Sequence, residues 1–303
     1  MDFFPILLSI FGLCVFEIVS SLDNAVINAD VLRTMQERWR KWFLVWGIFF
    51  GVFLVRGLLP WLIVWFSNPD LGPWEALTAS FHSDPRVKES IEHSAPLLLM
   101  GGGVFLIFLF LHWLFLDHKE FGLSIERFFN KRGLWFFTFA SILLTLIIWL
   151  AIRKDPWLAF AASVGSSLFF ITHGFRQHAE EVEVRMQKNS HLSDISKLIY
   201  LEVLDATFSI DGVVGAFAFT MSVPLIILGN GLGAIVVRQL TIKGVDKIRN
   251  YPYLKNGAMY SIFFLGLIMV LEGFHVKVPE YAAPLITFVV IGYFFFKSLS
   301  VKK

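Results

Sequence analysis

Apolar residues run along this chain in long, nearly unbroken stretches, punctuated by short clusters of charge, proline and glycine. Nine such stretches can be drawn, at about 3–28, 42–66, 96–116, 133–152, 156–173, 197–221, 223–240, 257–275 and 281–299. Several are long enough to cross a bilayer, which takes about 18 consecutive apolar residues or more. The pattern therefore predicts an all-α membrane protein with about nine transmembrane helices. The turn after Ser222 is short, and Pro224 suits the first position of the next helix. The polar stretch 175–196 reads as a partly helical linker, and the loop 67–95, with Pro73, Asp84 and Pro85, as a longer connection. Asp2 stands where a signal peptide would carry basic residues, and no small-residue cleavage site follows, so the first segment reads as a retained helix.

Lys and Arg set the expected orientation, because loops on the cytoplasmic side collect them. With the N-terminus outside, twenty of the 26 fall in or beside cytoplasmic loops and five outside, while Arg56 lies within a segment. The predicted topology is N-terminus outside and C-terminus cytoplasmic, with 67–95 extracytoplasmic.

Two of the apolar segments carry the same ten-residue pattern: acid, three residues, Ser, apolar, Asp, two residues, Val. The first copy is Glu17, Ser21, Asp23 and Val26; the second is Asp205, Ser209, Asp211 and Val214. A second match follows in the same order. Gly47, Gly51 and Arg56 are spaced as Gly229, Gly233 and Arg238 are. Under the predicted topology the two copies run in opposite directions, so helices 1–3 and 6–8 form an inverted three-helix repeat. The organisation is then a first repeat over 1–116, intervening helices four and five over 117–174 and the linker 175–196. The second, inverted repeat covers 197–276, and 277–303 holds a last helix with a basic C-terminus. Paired halves of membrane transporters place the substrate at their interface.

Composition sharpens the class. The chain has 303 residues, 56% of them hydrophobic and only 17% charged, against about 25% charged in soluble domains. A net charge of +2 gives no reason to expect nucleic acid, and the single Cys14 cannot form an internal disulfide. HExxH, GxSxG and paired-His clusters are missing from the sequence, so an intramembrane enzyme is not expected.

Carboxylates at membrane depth are costly and mark function by default. At about 100° per residue, Glu17, Ser21, Asn24 and Asn28 share one helical stripe, and Glu202, Asp205 and Ser209 another. Such hard oxygen donors suit Mn²⁺, Mg²⁺ or Ca²⁺. The blander reading is a polar stripe that holds helices together. Asp23 and Asp211 lie about 120° from Glu17 and Asp205 on regular helices. They face another neighbour or the helix unwinds beside them; unwinding is the favoured reading, eased at Asp211 by Gly212. Arg56 and Arg238 are the expected counter-ions of these aspartates, Arg56 buried and Arg238 snorkelling to an interface. Gly47, Gly51, Gly229 and Gly233 suit close helix packing. Gly101, Gly102 and Gly103 could pack likewise or add flexibility. Glu272 and His275, three residues apart, could relay protons, act as accessory ligands, or sit in the wet interface. His112, His118 and His173 read as interfacial, and Glu180, Glu181, Glu183 and Arg185 as a solvated face.

Residues 17–26 and 205–213 resemble the signature pair of the TerC/Alx family of integral membrane proteins, within the LysE-type exporter superfamily, and closest to an uncharacterised bacterial branch. The resemblance implies Mn²⁺ efflux, with tellurium resistance as the historical name. It carries the family's acidic positions onto Glu17, Asp23, Asn24, Asp205 and Asp211; Gly212 stands where many members have a polar residue. The combined expectation is a bacterial inner-membrane exporter of a divalent cation, Mn²⁺ favoured, with no tightly bound cofactor. Its partners are the lipid bilayer and the metal ion. The metal set is Glu17, Asp23, Asn24, Asp205, Ser209 and Asp211, with Ser21, Asn28, Arg56, Glu202, Glu272 and His275 as accessory or relay groups, and proton coupling through clustered carboxylates. The alternatives are a non-transporting scaffold or stress-response protein, or an exporter of another cargo such as Ca²⁺.

Overall fold

A computed structural model describes residues 3–50, 56–68, 70–78, 85–119, 121–188, 193–243 and 250–301. All regular structure among them is helical. The first group is α1 (Phe3–Ser20), α2 (Leu22–Arg33), α3 (Glu37–Ile48), α4 (Arg56–Ser67) and α5 (Pro73–Thr78). Then come α6 (Pro85–Leu116), α7 (Ser124–Asn130), α8 (Trp135–Ile152) and α9 (Pro156–Lys188). The last four are α10 (Asp194–Ala216), α11 (Val223–Lys243), α12 (Leu254–Gly273) and α13 (Ala282–Val301).

Six helices among the described residues are long and apolar enough to cross a membrane: α6, α8, the first part of α9, α11, α12 and α13. This is a multi-pass, all-helical membrane protein. The three remaining expected segments are where charge or a break intervenes. Segment 3–28 is divided at Ser21 into α1 and α2. Segment 42–66 is described as α3 and α4 on either side of 51–55. Segment 197–221 belongs to α10, which carries Asp194, Lys197, Glu202, Asp205 and Asp211. The fifth segment runs on into the linker as one continuous helix, α9, of 33 residues ending at Lys188.

The division at Ser21 has a local cause. The Ser20 hydroxyl donates back to the Glu17 carbonyl at 3.3 Å, and such back-bonding bends helices. Ser21 stands at the N-cap of α2 with no side-chain cap, because its hydroxyl donates to the Glu17 carboxylate instead. The backbone ladder continues across the bend, from Ser21 N to Glu17 O and from Ala25 N to Ser21 O.

The apolar core centres on α6, where Met100, Val104, Phe105 and Leu106 are fully buried. The three consecutive glycines serve close packing here. A side chain on Gly101 would meet the Ala161 carbonyl of α9 at 3.0 Å, and one on Gly103 would meet Val270 and the Gly266 carbonyl of α12. Gly165 lies directly against the Gly101 backbone. Outer helices show the reverse pattern: α8 exposes Phe137, Ile142, Leu146 and Trp149, the surface that lipid covers.

Candidate functional site

The site forms where α1, α4, α10 and α11 meet, and glycines make room for it. A side chain at Gly233 on α11 would meet Glu17 Cβ at 2.6 Å; one at Gly212 on α10 would meet Glu17 Oε2 at 2.7 Å. Gly47 on α3 leaves space for Glu202 and Arg238. Absent those methyl groups, charged side chains enter between helices that otherwise pack closely.

Arg56, 3% exposed at the start of α4, is the centre of the arrangement. Its Nε and Nη2 donate to Glu17 Oε1 at 2.9 and 2.7 Å, and its Nη1 to Asp205 Oδ2 at 3.3 Å. The guanidinium thus spans an acid from each copy of the repeated pattern. Arg238 on α11 closes the other side. Its Nη2 reaches Asp205 Oδ2 at 3.4 Å, its Nη1 reaches Glu202 Oε1 at 3.4 Å and the Phe43 carbonyl at 2.8 Å. Its guanidinium carbon lies 4.1 Å from the Phe43 ring centre. Three carboxylates therefore face two guanidinium groups in a water-poor setting, where each charge depends on its partner.

Several expectations are corrected here. Arg238 does not snorkel; it is 6% exposed and turned inward, because the acids of α10 pair with it there. Neither arginine meets Asp211, which pairs with Arg176 of α9, a residue assigned from sequence to the linker. α10 does not unwind at Asp211; it runs unbroken to Ala216. With the helix intact, the 120° offset simply turns Asp211 toward α9, and Gly212 supplies space, not a break. The side chains of Asp23 and Asn24, and all of Gly51, lie outside the described residues.

The remaining candidates scatter. Ser21 donates to Glu17 Oε1 at 2.7 Å and Ser209 to the Asp205 carbonyl at 2.6 Å, both within the site. Asn28 is buried on α2, and its side-chain carbonyl has no donor among the described residues. Glu272 and His275 stand apart, lining a cavity of about 580 Å³ with Met221, Lys277 and Glu280; His275 has φ 62° at the end of α12. A larger cavity, about 720 Å³, opens near α4 and α6 beside Asp70, Glu89 and His93, also away from the site.

Two features escaped the sequence reading. His112 and His173 bring their ring centres within 3.9 Å, and His112 Nδ1 lies 3.4 Å from Asp117. Beside them, burial pushes the Lys119 ammonium down to about 8 against the pull of Asp117. The other is Asn230 on α11, fully buried, whose Nδ2 donates to the Gly212 carbonyl at 3.4 Å while its Oδ1 has no donor among the described residues. One residue from Gly229 and three from Gly233, it was hidden in a glycine motif that reads as packing. Among the described residues no three His, Cys, Asp or Glu side chains converge as a metal cage, since the arginines hold the acids.

Fold and site together define a polytopic helical membrane protein with a buried, arginine-clamped acidic centre. A family model described as "Protein of unknown function (DUF475)" matches residues 22–303, and the chain belongs to that family. This overturns the TerC/Alx assignment, since DUF475 is a different family; two short acidic motifs resembled TerC, whereas the match extends over nearly the whole chain. The chain is also similar to the "Uncharacterized membrane protein YceF" of Bacillus subtilis (strain 168), 26% identical over 153 residues, or 49% of this chain and 58% of that protein. The chain thus spans somewhat over half the length of that relative. No solved structure matches.

Proposed function

We propose that the protein carries a divalent metal cation, Mn²⁺ favoured, outward across a bacterial inner membrane, and that it is a carrier and not an enzyme. The observation that carries this reading is Arg56, held between Glu17 and Asp205 with 3% exposure. The guanidinium groups occupy a cation's place: when Arg56 and Arg238 swing aside, Glu17, Asp205 and Glu202 become an all-oxygen, anionic pocket of the kind Mn²⁺ accepts. The halves contribute alike. Arg56 meets Glu17 of its own copy, as Arg238 meets Asp205 of its own. That correspondence, with the glycine spacing, supports an inverted repeat around nine spans, N-terminus outside and C-terminus cytoplasmic. Protonation of a carboxylate supplies the step that releases the metal.

The test is Mn²⁺ accumulation in cells lacking the protein and re-supplied with wild type, Glu17→Gln or Asp205→Asn. Wild type should lower cell Mn²⁺, and both variants should reach the membrane in normal amounts yet leave Mn²⁺ high. Protection by either variant at the wild-type level overturns the assignment. The completeness of the ion pairing favours one rival, a scaffold whose charges are static. For that rival, Mn²⁺ would cause no saturable change in the melting temperature of the purified protein.

A further inference from the structure

The divalent reading leaves unused the side of Glu17 that turns away from Arg56. Each side-chain hydrogen bond to Glu17 among the described residues ends on Oε1: one from Ser21 and two from Arg56. Oε2 points the other way, toward the Cα of Gly212, into the volume a methyl group would fill. Asn230 of α11 is tied to the same glycine, its Nδ2 donating to the Gly212 carbonyl at 3.4 Å. This bond fixes the amide orientation, because a flipped amide would set oxygen against oxygen. Its Oδ1 is left as a carbonyl with no donor among the described residues, in a residue of 0% exposure. Burying such an oxygen unmatched is costly, and natural proteins keep one where it serves a purpose.

The third oxygen comes from α10. Asp205, Ser209 and Gly212 follow at spacings of four and three, so they share one helical face. Glu17 reaches both ends of that face, Asp205 through Arg56 and Gly212 through Oε2, which lies 2.7 Å from where a side chain on that glycine would begin. Ser209 therefore sits between them, 2% exposed, its hydrogen given to the Asp205 carbonyl and its lone pairs free to accept.

We infer that Glu17 Oε2, Asn230 Oδ1 and Ser209 Oγ form a site for a small monovalent cation of the Na⁺ class. The donors are hard oxygens, and the centre around them holds three carboxylates against two guanidinium groups. One unit of positive charge is what that surplus can balance; a divalent ion would leave an excess charge buried, at high cost. Arg56 and Ser21 then act as positioning residues that hold the carboxylate from behind, as partners of ligating carboxylates commonly do. The site stands independently of the Mn²⁺ reading. Where that reading also holds, a Na⁺ and a metal would compete for one carboxylate, which couples their movements.

The experiment uses the full chain in detergent, its ten tryptophans reporting thermal unfolding. NaCl is titrated against choline chloride at constant ionic strength, with a parallel titration of MnCl₂. Wild type should gain melting temperature saturably with Na⁺ and not with choline. Asn230→Leu should raise the half-saturating Na⁺ by roughly tenfold or more, and Ser209→Ala by less, while Asn230→Asp should keep the response. Should Asn230→Leu not fold, the Ser209→Ala and Asn230→Asp curves decide in its place. A wild type indifferent to Na⁺, or variants that all respond like wild type, would overturn the monovalent site. A Na⁺ response without any Mn²⁺ response would sink the divalent reading alone, and stabilisation by Mn²⁺ but not Na⁺ would sink this one alone.

Discussion

Glycine holds two parts of this molecule together in opposite ways. Along the seam of α6, α9 and α12, Gly101, Gly103, Gly165 and Gly266 bring backbone against backbone, with Met100, Val104 and Phe105 sealing the contact. At the meeting of α1, α3, α10 and α11, Gly47, Gly212 and Gly233 instead admit the side chains of Glu17, Glu202 and Arg238. The seam is apolar and its contacts are short-ranged. The charged centre is held by ion pairs between side chains of different helices. If the proposed carrier function holds, the close-packed seam would be the static wall of alternating access and the α1, α4, α10 and α11 side the moving part.

Three measurements break or sharpen that contrast. The largest effect is expected from Arg56→Met, which strips the partner from Glu17 and loosens Asp205. Leaving buried charges uncompensated costs about 3–5 kcal/mol, so the melting temperature should fall steeply, and Arg56→Lys should recover only part of it. A variant as stable as wild type would mean that the centre is not charge-locked. Next comes Gly165→Ala in the seam. Its new methyl group meets the Gly101 backbone, which cannot rotate away, so about 1–3 kcal/mol should be lost in thermal unfolding. If alanine is tolerated there, the seam is not the tight wall described. Smallest for stability is Gly212→Ala, where the obstacle is the end of the Glu17 side chain and not backbone, and the loss should stay below about 1 kcal/mol. Its mark should fall on cation binding; a large loss of stability with binding intact would reverse the roles given to the two regions.

Much of this was legible in the chain. The acids of the repeated pattern announce themselves because carboxylates in apolar runs are rare, and Arg56 stood out for the same reason. Helical periodicity alone put Glu17 with Ser21, and Asp205 with Ser209, and the bend at Ser21 left that register intact. Periodicity likewise set Asp211 apart from Asp205; what it could not supply was the neighbour. Arg176 lies 35 residues from Asp211 and on the rim of a polar stretch, so nothing local links them. Asn230 was invisible for a related reason: a single amide between glycines has no spacing signature, and its meaning comes from the Gly212 carbonyl across a helix interface. The family resemblance misled because two ten-residue motifs are too short to separate related-looking acidic membrane proteins.

By itself, then, the sequence determined that this is a helical membrane protein with acids buried in paired segments, since hydropathy and the cost of intramembrane charge act on the chain residue by residue. Only the tertiary structure decided which cation each acid meets, that Arg238 turns inward, and that Glu17 keeps one oxygen turned toward Gly212. Those outcomes depend on how closely helices approach, and that distance is set by small residues on one helix against side chains far away in sequence.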